Sequence, residues 1–256
     1  MTLRDKIISN YSLALDKEKW SEHYNLDSLD SIVKGITTGQ VSVWSEELVR
    51  VTRENEKVLE IGCGSGTSSL WLAKHNRKVT ALDYTESSIA LLNTAAERLG
   101  QNNVRGVLAD ATKPLPFENK EFDMAFQSGL LEHFSTEQQI ELLKSWKKVC
   151  KRMISMVPNA ASIPYRVGKQ IMEDSGAWGY GLEVPKHSMA KEFAAAGIAV
   201  EKEYFIGTEW ALRFLPPRHY IRKFFARIQK DVGKINFDDL MQGYLIVKIG
   251  NCEREC

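Results

Sequence analysis

The chain has 256 residues, of which 43% are hydrophobic and 26% charged, with a formal net charge of +1. This composition is typical of a globular protein with a substantial core, and it excludes a chain-wide electrostatic attraction to nucleic acid. Cys252 and Cys256 have no nearby histidine, and no disulfide framework is evident, so we expect reduced thiols, no metal site and a cytoplasmic location. No apolar run is long enough to span a membrane, and the charged first six residues predict no secretory signal.

The first fifty residues have apolar side chains at helical spacing. Residues 37–40 break this pattern, and residues 41–51 resume it as a helix. The first helical face is formed by Leu3, Ile7, Ile8, Tyr11 and Leu15. We therefore interpret residues 1–52 as an N-terminal helical segment.

Residues 57–67 combine a buried-strand pattern with a glycine-rich turn, and we expect the fold to be organised around them. The apolar run that ends at Ile61 is followed by Gly62, Gly64 and Gly66, and Thr67 then opens a segment with helical spacing. Glycine admits positive φ and lets a ligand approach the backbone, while the first N–H groups of the helix point at that ligand. The stretch predicts a nucleotide-binding turn.

Two later strand patterns end in acidic residues. Asp83 follows the strand at 78–82, and Asp110 follows the strand at 104–108. Open α/β sheets bind ligands at the carboxyl ends of their strands, where Asp83 is placed to accept hydrogen bonds from a ribose diol. Either residue alone could instead cap a helix or form a turn. Their register with the glycine turn favours ligand binding.

The glycine turn is G-x-G-x-G led by Glu60, whereas dinucleotide dehydrogenases have G-x-G-x-x-G. Together with Leu82-Asp83, residues 109–111 and residues 122–134, it resembles the class I S-adenosylmethionine-dependent methyltransferase family, in its small-molecule branch. The resemblance is close over residues 40–160. It implies an α/β fold with a Rossmann-like, mostly parallel sheet of seven strands, the last one antiparallel, helices on both faces and an N-terminal helical lid.

This resemblance implies a core domain at 53–250 after the lid, followed by a polar tail at 251–256. Residues 160–187 are the least regular segment, and we assign them to an acceptor-pocket insertion because long loops in compact domains are usually functional. Residues 213–234 are a helical insertion. Further helices are expected at 86–99, 136–149 and 188–196, and further strands at 121–127, 152–157, 200–206 and 243–249.

In residues 213–234, basic side chains far outnumber the single acid, Asp231, and aromatic and aliphatic residues form a stripe at helical spacing. A basic amphipathic helix can make peripheral contact with a membrane surface or face an anionic substrate. We favour the alternative in which the stripe packs on the protein and the charges are solvated.

By the resemblance, the cofactor is S-adenosyl-L-methionine, bound at the strand ends. Glu60 would orient its methionine ammonium, Asp83 would hold the ribose hydroxyls, and Asp110 with the Ala111 amide would meet the adenine edge. The expected cofactor-binding residues are Glu60, Gly62, Cys63, Gly64, Gly66, Asp83, Tyr84, Asp110, Ala111, Gln127 and Ser128.

His133 is the candidate general base, because it lies in the loop after the fourth strand and imidazole titrates near neutrality. A structural histidine bonded to the backbone is an equal alternative, and His187 is a second candidate. The candidate acceptor-binding residues are Tyr11, Trp20, Tyr24, Trp44, Tyr165 and Arg166. Four of these residues, Tyr11, Trp20, Tyr24 and Trp44, belong to the N-terminal segment and are called the lid aromatics. For each of them, packing on the sheet edge is the alternative interpretation.

The leading hypothesis is an enzyme that transfers a methyl group to an oxygen or nitrogen of a small-molecule acceptor by in-line displacement. Residues 126–129 read F-Q-S-G and lack the signature of amino-methylating nucleic-acid enzymes, which argues against a nucleic-acid partner. One alternative is a catalytically silent cofactor-binding regulatory subunit. Another is a nicotinamide-dependent oxidoreductase, although the glycine spacing does not match that class. The acceptor's identity and the oligomeric state are left open by these residues.

Overall fold

The computed structural model describes residues 17–183, 185–232 and 242–254. Its centre is a seven-stranded sheet. The strands are β1 Lys57–Ile61, β2 Lys78–Asp83, β3 Val104–Leu108, β4 Phe122–Ser128, β5 Cys150–Pro158, β6 Ala199–Ile206 and β7 Leu245–Asn251. Their order in the sheet is β3-β2-β1-β4-β5-β7-β6, and β7 runs antiparallel to both β5 and β6 while the other pairs are parallel. The predicted fold class is confirmed.

Helices cover both faces of this sheet. They are α1 Lys17–His23, α2 Leu29–Thr38, α3 Val43–Val51, α4 Thr67–Lys74, α5 Glu86–Arg98, α6 Thr136–Trp146, α7 Ile163–Asp174, α8 Ala190–Ala195, α9 Thr208–Ala211 and α10 Tyr220–Val232. Side chains alternate between the faces along each strand. In β1, Leu59 and Ile61 join a core with α6 and α8, whereas Val58 joins a core with α3 on the opposite face. This sandwich holds the carboxyl edge of the sheet in a fixed position.

The expectation of an irregular segment at 160–187 is wrong for its first half, where α7 is a regular helix. Proline in the first turn is compatible with a helix, and Pro164 occupies that position after Ser162. Tyr165 and Gly168 are buried, and a Cβ built on Gly168 would lie 2.4 Å from Phe214 Cβ. This close packing against a distant segment stabilises α7, and it leaves no local signal in the sequence.

The remaining boundaries shift by a few residues. The predicted helix at 136–149 ends at Trp146, and the predicted helix at 188–196 begins at Ala190. The predicted strand at 152–157 extends over Cys150–Pro158, and the one at 243–249 begins at Leu245. The predicted strand at 121–127 is Phe122–Ser128. Part of the N-terminal prediction, including Leu3 to Leu15 and therefore Tyr11, falls outside the residues that the structure describes.

The basic stretch at 213–234 contains α10 in its second half. Ile221 and Phe225 are buried against Leu215, but Tyr220 and Phe224 are 72% and 55% exposed. The predicted apolar stripe is therefore packed on one side only. Across the described residues, no helix combines the length and the apolar character needed to cross a membrane.

Candidate active site

The glycine turn joins β1 to α4 at the carboxyl edge of the sheet. Gly62, Gly64 and Gly66 have φ angles of 73°, 51° and 69°, which lie in the left-handed region that favours glycine. The Gly62 N–H donates to the Leu82 carbonyl at 2.8 Å, and the Gly64 N–H donates to Asp83 Oδ2 at 2.9 Å. The end of β2 thus fixes the shape of the turn.

Asp83 is 6% exposed, and its carboxylate is held on both oxygens. Oδ1 accepts hydrogen bonds from the Thr85 N–H at 3.0 Å and the Thr85 hydroxyl at 2.9 Å, while Oδ2 accepts from Gly64. A carboxylate has about four lone-pair sites, so acceptor capacity remains for a ligand hydroxyl. The sequence predicted a ribose contact for Asp83, and the structure adds a second role in holding the turn.

A cavity of about 920 Å³ opens beside the turn, near the upper end of the usual range for small-molecule sites. The predicted residues in its wall are Trp20, Tyr24, Trp44, Glu60, Gly62, Cys63, Gly64, Asp83, Tyr84, Asp110, Ala111, Ser128 and His133. Among the described residues, the predicted ones that do not line it are Gly66, Gln127, Tyr165, Arg166 and His187. Arg166 and His187 are exposed. The cavity therefore brings together nine of the eleven expected cofactor residues and three of the lid aromatics.

Gln127 and Tyr165 are buried behind the cavity wall and bind other residues of the chain. Gln127 Oε1 accepts the N–H groups of Leu130 and Leu131 at 3.0 and 3.2 Å, and this fixes the loop after β4. The Tyr165 hydroxyl donates to Glu183 Oε2 at 2.6 Å. Both side chains position residues that do line the cavity.

Helix α1 and Tyr24, the residue directly after it, cover the glycine turn with stacked aromatic rings. The rings of Trp20 and Tyr24 have centroids 5.8 Å apart and planes 8° apart, and Trp20 also lies edge-on to His133 at 5.6 Å. A Cβ built on Gly64 would lie 2.8 Å from the Tyr24 ring. The absent side chain at position 64 therefore lets the lid close directly over the turn.

Glu60 is buried at the end of β1, where its carboxylate accepts a hydrogen bond from the Ser69 hydroxyl. Burial raises the pKa of Glu60 to about 8. A cationic group bound in the cavity would favour the ionised form of this carboxyl. The cavity wall thus provides the Glu60 carboxylate for an ammonium group and free lone pairs on Asp83 for ribose hydroxyls. The glycines of the turn leave room for a ligand against the backbone. These features fit S-adenosylmethionine.

His133 is 3% exposed in the short helical turn Leu131–His133 that follows β4. Its Nδ1 lies 2.9 Å from the Leu182 carbonyl oxygen, which can only accept, so Nδ1 carries a proton. Burial lowers the pKa of His133 below the ordinary value of 6.5. The ring is neutral at pH 7, and Nε2 is its basic atom.

Three ionisable residues at the cavity, Glu132, Lys169 and Glu183, were not among the site residues predicted from the sequence. Glu132 and Glu183 line the wall, and Lys169 Nζ lies 3.1 Å from Glu183 Oε2 and 4.6 Å from the centroid of the Trp178 ring. Glu132 could have been found from its position directly before His133. The Lys169–Glu183 pair has no such signal, because α7 and the following loop bring the two residues together.

We expect Gly64→Ala to weaken binding of S-adenosylhomocysteine by more than about tenfold, because the new methyl group would clash with the Tyr24 ring. A left-handed backbone also costs a non-glycine residue about 1–2 kcal/mol. Isothermal titration calorimetry would measure the affinity. The matched control is Gly100→Ala, which has a φ of 64° but open space around the added atom. Equal affinity in the two variants would contradict the close contact between lid and turn.

The strand order, the antiparallel seventh strand and the glycine turn define a class I S-adenosylmethionine-dependent methyltransferase fold. A family model described as "Methyltransferase domain" matches residues 58–153, so this part of the chain is a methyltransferase domain. The match begins in β1 and ends in β5, and it therefore includes the glycine turn, Asp83, Asp110 and His133. The predicted methyltransferase family is confirmed for this part of the chain, and the cofactor of that family is S-adenosylmethionine.

Two relatives of this chain are named as methyltransferases that act on different atoms, one on nitrogen and one on oxygen. A probable (S)-tetrahydroprotoberberine N-methyltransferase 2 of Papaver bracteatum is 34% identical over 98 residues, which are 37% of this chain and 26% of that protein. A ubiquinone biosynthesis O-methyltransferase of Coxiella burnetii (strain Dugway 5J108-111) is 34% identical over 91 residues, which are 36% of this chain and 38% of that protein. The chain thus matches less than two fifths of either relative's length.

Among solved structures, geranyl diphosphate C-methyltransferase from Streptomyces coelicolor A3(2), in complex with Mg²⁺, geranyl diphosphate and S-adenosyl-L-homocysteine, has a TM-score of 0.55. The similarity covers 81% of this chain and 78% of that one at 13% sequence identity. At this identity it shows a common fold.

Proposed function

We propose that the protein transfers the methyl group of S-adenosylmethionine to an oxygen or nitrogen of a small-molecule acceptor by in-line displacement. The observation that carries this proposal is that one cavity is lined both by most of the expected cofactor residues and by His133 with the lid aromatics. The N- and O-methyltransferase names of the two curated relatives support it. The second half of the insertion at 160–187 contributes Trp178, Tyr180 and Glu183 to the acceptor side.

In this proposal, Glu60 orients the methionine ammonium, Asp83 holds the ribose hydroxyls, and Asp110 and the Ala111 amide contact the adenine. The bound cofactor supplies an activated methyl group on a sulfonium. The chain's own residues then have to align the acceptor, exclude water and remove a proton where the acceptor carries one. Trp20 and Tyr24 exclude water, because their stacked rings cover the turn.

The test of the function is a titration of the purified protein with S-adenosylhomocysteine, followed by a methyl-transfer assay with a panel of amines and phenols. We expect measurable affinity for S-adenosylhomocysteine and none for the nicotinamide dinucleotide used as a control. Absence of S-adenosylhomocysteine binding would reject the proposal. Binding without transfer to any acceptor of the panel would favour the regulatory-subunit alternative.

We propose that His133 is the general base, and we expect His133→Ala to lower kcat by about 100-fold or more. Because the pKa of His133 is lowered, its neutral form persists at pH 7, and activity that depends on it should fall only when the pH drops below about 6.5. The pH profile of kcat/KM would show this fall in the wild type and not in the variant. The control is His75→Ala, whose Nδ1 also lies beside a backbone carbonyl, that of Trp71 at 2.8 Å, but outside the cavity wall. Near-normal turnover in His133→Ala would remove the base assignment.

A further inference from the structure

Glu132 is a buried carboxyl group without a hydrogen-bond partner on one of its oxygens. The residue is 1% exposed and lies in the cavity wall, and within the described part of the chain nothing donates to its Oε2. A buried carboxylate without a partner is strongly unfavourable, and such groups are normally paired or hydrogen bonded. Burial, together with the nearby Glu183, raises the pKa of Glu132 well above its ordinary value. Glu132 Oε2 therefore lacks a donor or a cation in direct contact with it among the described residues.

The neighbouring ionisable groups do not make this contact, although the charge of Lys169 acts to lower the pKa of Glu132. Ligand atoms of Glu132, His133 and Glu183 lie within 4.8 Å of one another. The Lys169 ammonium is engaged by Glu183 Oε2 at 3.1 Å, and Glu183 also accepts from the Tyr165 hydroxyl at 2.6 Å. His133 is a neutral ring with its Nδ1 bonded to the backbone. Glu183 thus has its partners within the protein, whereas Glu132 Oε2 has none among the described residues.

The surroundings of Glu132 are aromatic. Tyr24 and Tyr244 are close enough that the charge of Glu132 contributes to raising the pKa of both phenols, although burial is the main cause. Trp20, Trp178 and Tyr180 are further rings in the same wall. Aromatic faces attract organic cations through the ring quadrupole, and a carboxylate completes such a site.

A divalent metal ion fits this arrangement less well. Glu183 already binds an ammonium group and a hydroxyl, so a metal ion there would have to displace Lys169 from a buried pair or lie beside its charge. Magnesium and calcium also require six or more oxygen ligands, and an aromatic wall offers few. The chemistry of the wall favours a cation that is itself partly apolar.

We infer that Glu132 is the counterion for a positively charged nitrogen of the acceptor, so that the substrate class is an organic ammonium compound held between this carboxylate and the aromatic wall. The inference rests on the proposed function and narrows its acceptor. It assigns to Glu132 a role in recognition, and the ammonium group need not be the methylated atom.

The experiment compares 2-phenylethylammonium with 2-phenylethanol, its neutral counterpart, as ligands of the protein saturated with S-adenosylhomocysteine. We expect the ammonium compound to bind at least tenfold more tightly in calorimetry at pH 7, because only this compound carries a positive charge that can pair with Glu132. The isosteric variant Glu132→Gln should lose this preference and retain its affinity for S-adenosylhomocysteine. The control Glu141→Gln changes a carboxylate that is 71% exposed, and it should retain both.

Equal affinity of the wild type for the two compounds would overturn the inference without the need for any variant. A preference that persists in Glu132→Gln would overturn it as well. Competition by MgCl₂ for the ammonium site in the wild type, lost in Glu132→Gln, would assign the site to a metal ion instead. If S-adenosylhomocysteine did not bind, the proposed function would be rejected. This outcome is separate from a failure of the inference about Glu132, because the two phenyl compounds can also be titrated in the absence of S-adenosylhomocysteine.

Discussion

Asp83→Ala should lower the affinity for S-adenosylhomocysteine by at least about 100-fold. The variant would lose the proposed contact with the ribose hydroxyls. It would also leave the buried Gly64 N–H without its acceptor, at a cost of about 1–3 kcal/mol. Because the Thr85 hydrogen bonds to Oδ1 would be lost too, the turn itself would loosen. Calorimetric titration would measure the affinity, and chemical denaturation would measure the accompanying loss of stability.

Two further variants separate the roles of Asp83. Asp83→Asn keeps one oxygen acceptor and removes the charge, so it should fall between the wild type and the alanine variant. Asp123 is the matched control, because its carboxylate also accepts a backbone N–H of β1, that of Lys57 at 3.0 Å, at the opposite end of the strand. Asp123→Ala should leave the affinity unchanged. An unchanged affinity in Asp83→Ala would instead reject both roles of Asp83.

The second large effect is expected for Lys169→Met, which should lower the free energy of unfolding by about 3 kcal/mol. The side chains of Lys169 and Glu183 are only 7% and 8% exposed, and their charged atoms lie 3.1 Å apart. Removal of the ammonium would leave Glu183 as a buried charge next to Glu132. Urea denaturation monitored by tryptophan fluorescence would give the free energy of unfolding.

A second substitution in the same molecule tests whether the unpaired charge of Glu183 causes the loss of stability. The double variant Lys169→Met with Glu183→Gln removes both charges, and it should recover at least half of the lost stability. The surface pair Lys144–Glu141, whose side chains are 47% and 71% exposed, is the control. Lys144→Met should cost less than about 1 kcal/mol. If Lys169→Met lowered the free energy of unfolding no more than Lys144→Met does, the Lys169–Glu183 pair would contribute no more to stability than a surface pair.

The sequence predicted the cofactor half of the site because its signals are local. In residues 57–67, a strand, three glycines and a helix follow one another directly, and each step depends on backbone conformation that neighbouring residues determine. Asp83 and Asp110 were predicted in the same way, since strand ends can be read from the chain and parallel strands align their carboxyl ends. The seven-stranded sheet followed from the resemblance that these residues carry.

The acceptor half depends on contacts between residues far apart in the chain. The segment that forms helix α7 was predicted to be irregular, because the helix is stabilised by packing against the distant Phe214. Tyr165 and Arg166 were predicted to line the acceptor pocket, but Tyr165 is buried behind the cavity wall and Arg166 is exposed. The structure is needed to see that Glu132 Oε2 has no partner, because it shows that Lys169 and Tyr165 both bind Glu183. The sequence by itself therefore determined the glycine turn and the acidic strand ends beside it, since conformation and spacing are properties of adjacent residues. Only the tertiary structure decided which charges are paired, because pairing depends on distances that folding sets.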